Sequence, residues 1–179
     1  MIDVMGNVYH SSFVDEEGIS KACGCPLLPL KSHIRGPAPV SEQDTTDIVD
    51  EAITFFRANV FFKNFDIKSS SDKLLIYLTL YINIALKRLE GCRTLAEGTK
   101  AIINLGLENV PVPGEAGFPF PGLFSPAQSQ KEADIKIPFC IYSISCVALR
   151  LMDMDLFVLA VTFELRTIQE LSEANKGGN

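Results

Sequence analysis

Along residues 74–86, "LLIYLTLYINIAL", only Thr79 and Asn83 interrupt an apolar run, with Lys73 before it and Lys87 and Arg88 after it. As a helix this piece rises only about 20 Å, short of the roughly 30 Å hydrocarbon layer, so the pattern predicts a core helix and not a membrane span. Placed at 100° per residue, Asp72, Thr79, Asn83 and Glu90 share one narrow polar stripe, while Leu75, Leu78, Tyr81, Ile82, Ala85 and Leu89 spread over much of the remaining surface. Other elements must cover such a helix on most sides. Ser70 or Ser71 is the expected N-cap, and Gly91 marks the end.

Upstream, "DTTDIVDEAITFFRANVFFKNF" predicts a helix over residues 46–63, capped by Thr45 or Thr46, with Asp47, Asp50 and Glu51 near its start and Arg57 and Lys63 later. Val49, Ala52, Ile53, Phe56 and Val60 form one apolar stripe, and Ile48, Phe55 and Phe62 form a second. The second stripe is either more core or a face for a partner. A third helix is expected over 94–105, "TLAEGTKAIINL", weakened by Gly98 and stopped by Gly106.

The connecting segments are as distinctive as the helices. Residues 1–43 carry Gly24, Pro26, Pro29, Gly36, Pro37 and Pro39, which predicts an extended arm laid over the domain. Residues 107–129 hold five of the chain's ten prolines, a composition that forbids long regular structure. Loops this long inside a compact domain are functional or pinned, and Phe118, Phe120 and Phe124 are the side chains available either to pin this one or to meet a partner. Past "SQKEADIK" the character changes to "IPFCIYSISCVALRLMDMDLFVLAVTFEL", an apolar tract broken by Arg150, Asp153 and Asp155. Its longest charge-free piece, 137–149, is again too short to span a bilayer. Two buried elements, or a segment that does not pack properly, are the soluble alternatives.

Composition narrows the function classes. With 179 residues, 47% of them hydrophobic, and a formal charge of −6 without any Lys/Arg block, the chain suits one globular domain and lacks the basic footprint of a nucleic-acid binder. The start "MIDVMGNVYHSSF" has no apolar secretory core, and the five cysteines are irregularly spaced, so a cytoplasmic protein with reduced thiols is expected. Candidate chemistry is sparse. His10 and His33 both fall in the arm, and no local motif pairs either with a cysteine. Cys23 and Cys25 with His33 lack the second ligand pair and the spacing of a structural zinc site, so no metal is expected. "VPGEAGFPFPG" lacks the Lys-Ser/Thr and following helix of a phosphate loop. Asp47, Asp50 and Glu51 are expected to complement a helix dipole, not to hydrolyse anything. Neither a catalytic residue nor a cofactor is expected.

The stretches "VYHSSF", "PLLPLKSHIRGPAP", "DIVDEAI", "ANVFFKNF" and "VPGEAGFP", in this order and spacing, resemble subunit 3 of the actin-related protein 2/3 complex from Val8 to about Asp134. The resemblance implies an all-α, compact helical domain with one central helix surrounded by others, the N-terminal arm and the Pro/Gly-rich loop being added to it. It implies a non-enzymatic structural subunit supporting actin nucleation and branched filament formation in the cytoplasm and cytoskeleton. The implied partners are the other complex subunits, especially an actin-related protein, and the actin filament; neither nucleic acid nor a membrane is among them.

On this basis residues 1–134 form the family-like domain and 135–179 an atypical apolar tail, since the family continues with a charged amphipathic helix, a tryptophan-containing segment and a basic end. The tail is either a genuine variant or an altered reading of the gene, and its lack of a periodic pattern favours the second. "MIDVMGN" resembles an extension upstream of the family start. The expected partner contacts are Phe55 and Phe62 on the second stripe and Phe118, Phe120 and Phe124 in the loop. The alternative functions are a small protein anchored to a membrane through residues 137–163 and a free subunit variant unable to assemble.

Overall fold

The computed structural model describes residues 8–13, 19–22, 24–31, 39–42, 44–60, 66–108, 118, 120, 122–125, 128–131, 134, 145–148 and 150. The elements within them are a small hairpin, β1 (Lys21–Ala22) and β2 (Cys25–Pro26), then helices α1 (Ile48–Thr54), α2 (Phe56–Asn59), α3 (Ser70–Leu89) and α4 (Leu95–Leu107). The domain is mainly helical, as its sequence predicts. Residues 1–83 with 109–147 form one compact unit, and 84–108 with 148–179 a second.

The described parts of the arm are extended and well tied. β1 and β2 pair antiparallel, Lys21 opposite Pro26 and Ala22 opposite Cys25, around Gly24, whose φ of 72° is the left-handed region that suits glycine. A Cβ on Gly24 would also stand 3.5 Å from the Ser125 hydroxyl, so the hairpin tip lies against the Pro/Gly-rich loop. Along "LLPL", Leu28 and Leu30 are fully buried, Leu27 is half-buried and Pro29 exposed, the alternation of an extended strand with one face on the core. Leu30 accepts from the Ser41 amide at 3.1 Å and donates to the Pro39 carbonyl at 2.9 Å, a parallel bridge that anchors both ends of the intervening segment.

The expected helix over 46–63 is broken into α1 and α2 at Phe55, and 61–65 lie outside the described residues. Its cap is Asp47, not a threonine. The Asp47 carboxylate accepts the amides of Val49 and Asp50, both at 3.0 Å, while Asp50 accepts the Asp47 amide at 3.1 Å, a complete capping box. Thr45 turns its hydroxyl instead to the Glu42 carbonyl at 2.9 Å, a local bond that competes with capping. Helix α3 has an equivalent start one residue before its first turn. Ser69 Oγ accepts the Asp72 amide at 3.1 Å and Asp72 accepts the Ser69 amide at 3.2 Å, so Ser69 takes the role expected of Ser70 or Ser71.

From Ser71 to Ile82 the residues of α3 are buried around the whole circumference apart from Lys73 and Leu80. The polar stripe is therefore no solvent face in this half. Asp72 and Thr79 are buried, Asn83 is half-buried and only Glu90 is exposed. Thr79 satisfies its hydroxyl on the Leu75 carbonyl at 2.8 Å, which lets a polar side chain sit inside the core.

Among the described residues of the second unit, Ala85, Leu86 and Leu89 of α3, Ile102 and Leu105 of α4 and Ala148 are the buried apolar ones. Thr94 caps α4 by accepting the Glu97 amide at 3.3 Å. The helix passes Gly106 and ends at Leu107. Glu108 at the C-cap takes both guanidinium nitrogens of Arg88, at 2.9 and 2.6 Å, and its carboxylate raises the Arg88 pKa further.

Candidate functional site

Two clusters in the first unit concentrate the side chains that sequence reasoning marks as candidates. The first is where the arm crosses α1, α2 and the start of α3. Glu51 sits on the apolar side of α1 next to Ile48 and Ala52, and is only 2% exposed. Its Oε1 accepts the Tyr9 hydroxyl at 3.0 Å, the Ser12 amide at 3.0 Å and the Ser12 hydroxyl, and its Oε2 accepts the Ser11 hydroxyl at 2.8 Å. Asp72 accepts the Ser11 amide on Oδ1 at 2.9 Å and the Lys68 amide on Oδ2 at 2.9 Å, and His10 Nδ1 lies 3.1 Å from Oδ2. Asn59, fully buried, brackets the Tyr9 backbone, its Oδ1 accepting the amide at 3.0 Å and its Nδ2 donating to the carbonyl at 3.1 Å.

Such bonding explains how two carboxylates tolerate burial. Burial alone would push the Asp72 carboxyl up, but the Ser11 and Lys68 amides and the His10 ring outweigh it and hold the group below the ordinary carboxylate value. Tyr9 moves the other way, since burial and the Glu51 carboxylate both disfavour the phenolate. The Tyr9 ring completes the crossing by stacking on Phe55, centroids 3.5 Å apart and planes within 5°. Here the helix expected over 46–63 breaks, for Glu51 and Asn59 serve the arm on either side of the turn and Phe55 serves it at the turn itself.

The second cluster is aromatic. Phe118 lies 5.9 Å from Tyr77 of α3, 6.1 Å from Phe120 and 6.2 Å from Phe124, and Phe124 meets Tyr77 edge-on at 6.3 Å. These separations and tilts are those favoured by ring quadrupoles. Phe124 and Leu123 are buried, whereas Phe118 and Phe120 are half-buried.

Of the five residues marked for partner contact, Phe118 and Phe124 are thus brought together on Tyr77 with Phe120 against Phe118, Phe55 is overlaid by Tyr9, and Phe62 lies outside the described residues. Sequence reasoning missed the polar crossing. Its one visible signal is Glu51, a carboxylate between Ile48 and Ala52 on a face that otherwise reads as core. Among the described residues no group of three or more His, Cys, Asp or Glu side chains is placed to hold a metal. No helix among them is long and apolar enough to cross a membrane, α3 included. Most of residues 137–163 lie outside the described residues.

The family model of P21-Arc, the ARP2/3 complex ARPC3 (21 kDa) subunit, matches residues 6–157. The chain is 86% identical over 128 residues to actin-related protein 2/3 complex subunit 3 of Arabidopsis thaliana, covering 72% of this chain and 74% of the plant protein. It is 42% identical over 127 residues to the subunit of the same name in Schizosaccharomyces pombe, 71% of this chain and 72% of that one. With the Saccharomyces cerevisiae subunit it shares 38% identity over 147 residues, 81% of this chain and 82% of that one. The chain belongs to the family of subunit 3 of the actin-related protein 2/3 complex, a structural component of that assembly. Its partners are accordingly other subunits of the complex.

Proposed function

We propose that this chain acts without catalysis, seated against an actin-related protein within the complex and supporting nucleation and branching of actin filaments in the cytoplasmic cytoskeleton. The observation that carries this is the 86% identity to the plant subunit over 128 residues. A sequence without a nucleophile–base motif or a phosphate loop agrees with a scaffold whose contribution is shape. Contact with the neighbouring subunit is assigned to the rim of the aromatic loop, Phe118 and Phe120, with Phe124 as the anchor beneath them, and to Phe55 and Phe62 of the second apolar stripe in the sequence. Half-buried rings held on a rigid helix suit this role, because they present apolar area at little cost in side-chain entropy.

Tagged chain expressed in cells should recover the other complex subunits in stoichiometric amounts, and recovery as a monomer alone would overturn the proposal. Phe120→Asp should remove the chain from the complex while leaving its helicity unchanged; loss of helicity would make Phe120 a core residue instead. One further arm of the same experiment concerns residues 135–179. Replacing them with the corresponding segment of the plant relative should raise recovery in the complex if the tail weakens assembly, and equal recovery would make the tail a functional variant.

A further inference from the structure

Glu51 holds the arm through hydroxyl donors, and the residues that follow those hydroxyls in sequence are "FVDEE". We propose that Ser12 is a phosphoacceptor for an acid-directed serine/threonine kinase and that its phosphorylation unlatches the arm from Glu51 and Asp72.

Two independent observations converge on Ser12. The first is charge pattern. Asp15, Glu16 and Glu17 stand three, four and five residues after it, an acidic register that a kinase with a basic substrate groove reads by charge complementarity. Ser11 is out of this register, with Val14 at the third position. The second is geometry. The Ser12 hydroxyl and amide both donate to Glu51 Oε1, and the preceding residue donates its amide to Asp72, so Ser12 sits beside two buried carboxylates that require donors.

In the transfer, the γ-phosphoryl group of ATP passes to Ser12 Oγ. The new P–O bond forms as the bond to the β-phosphate oxygen breaks, ADP leaves, and the hydroxyl proton goes to the kinase's general base. The product no longer has a donor at Oγ. It carries about −1.5 to −2 charge and only acceptor oxygens where Glu51 needs a hydrogen. Because the docked hydroxyl is engaged, the kinase takes the arm in its undocked state, and the phosphate then blocks return, which shifts the population toward the released form. The arm becomes a latch that is set by one charge change and reset by a phosphatase.

The test uses the full chain in two forms, one treated with an acid-directed kinase and ATP, the other made with phosphoserine encoded at position 12. Mass spectrometry should place the phosphate on Ser12, with none taken up by Ser12→Ala and much less when Asp15, Glu16 and Glu17 are changed to their amides. Amide hydrogen exchange at Tyr9, Ser11 and Ser12 should quicken by about tenfold or more in either phosphorylated form, while the amides of α3 stay protected. Phosphate on Ser11 instead, no uptake at Ser12, or unchanged exchange at those three amides in the encoded form would each overturn the proposal.

Discussion

The arm at residues 9–12 and the loop at residues 118–124 are both irregular segments laid on the same helix, α3, yet they are held by opposite chemistry. The arm is fastened by directional bonds to Glu51, Asn59 and Asp72, whereas the loop is fastened by ring contacts on Tyr77. Apolar contact is insensitive to charge and tolerates small shifts in position. Bonds to buried carboxylates depend on every donor being present and on the carboxylates staying ionised. One segment therefore behaves as a fixed part of the core and the other as a fastening that conditions can undo.

Substitutions should separate the two. Phe124→Ala, which removes a buried ring touching Tyr77 and Phe118, should cost about 3 to 5 kcal/mol in chemical denaturation and expose the loop to protease. Glu51→Ala should cost less, about 1 to 3 kcal/mol, because the freed hydroxyls of Tyr9, Ser11 and Ser12 regain water once the arm lifts. Exchange at the arm amides should rise in that variant while the loop stays protected; equal loosening of both segments would mean that the two are not independent.

Acid should loosen the arm before the loop. The Asp72 carboxyl is held below its ordinary value in the fold, so its contribution is complete at neutral pH and is lost as pH falls through that depressed value, below the ordinary carboxylate range. Phe55→Leu keeps the bulk but removes the stack with Tyr9, and should cost about 0.5 to 1.5 kcal/mol with loosening confined to the arm. Arg88→Ala provides the baseline. It breaks an exposed ion pair in the other unit, and its melting temperature should be indistinguishable from that of the unaltered chain at physiological salt.

How much of this was legible in the sequence depends on whether a feature is local. The apolar run of α3 and its basic end need only neighbouring residues, so the helix and its termination near Gly91 follow from pattern. Helix α4 follows too, although it runs one residue past Gly106 to Leu107. The division at Phe55 does not follow, since the residues on either side of it serve Tyr9, and no local period records a contact with a segment some 50 residues away. The same applies to Asp72. By periodicity it heads a solvent stripe, and only the arm, arriving from outside the helix, makes it a buried acceptor. The aromatic loop was half legible: its phenylalanines were visible as anchors, but which of them turn inward depends on Tyr77.

The arm's docking also has an order in time. His10 meets Asp72 across 62 residues, and everything it fastens to is made after it. At about 5 to 20 residues per second of synthesis, the stretch from His10 to Asp72 takes roughly 3 to 12 s to appear. During that interval Tyr9, Ser11 and Ser12 have no seat, and Leu28 and Leu30 wait with them for a core that does not yet exist. A segment made before its seat is thus among the last to settle, so its closure records that α1, α2 and the start of α3 have already been built.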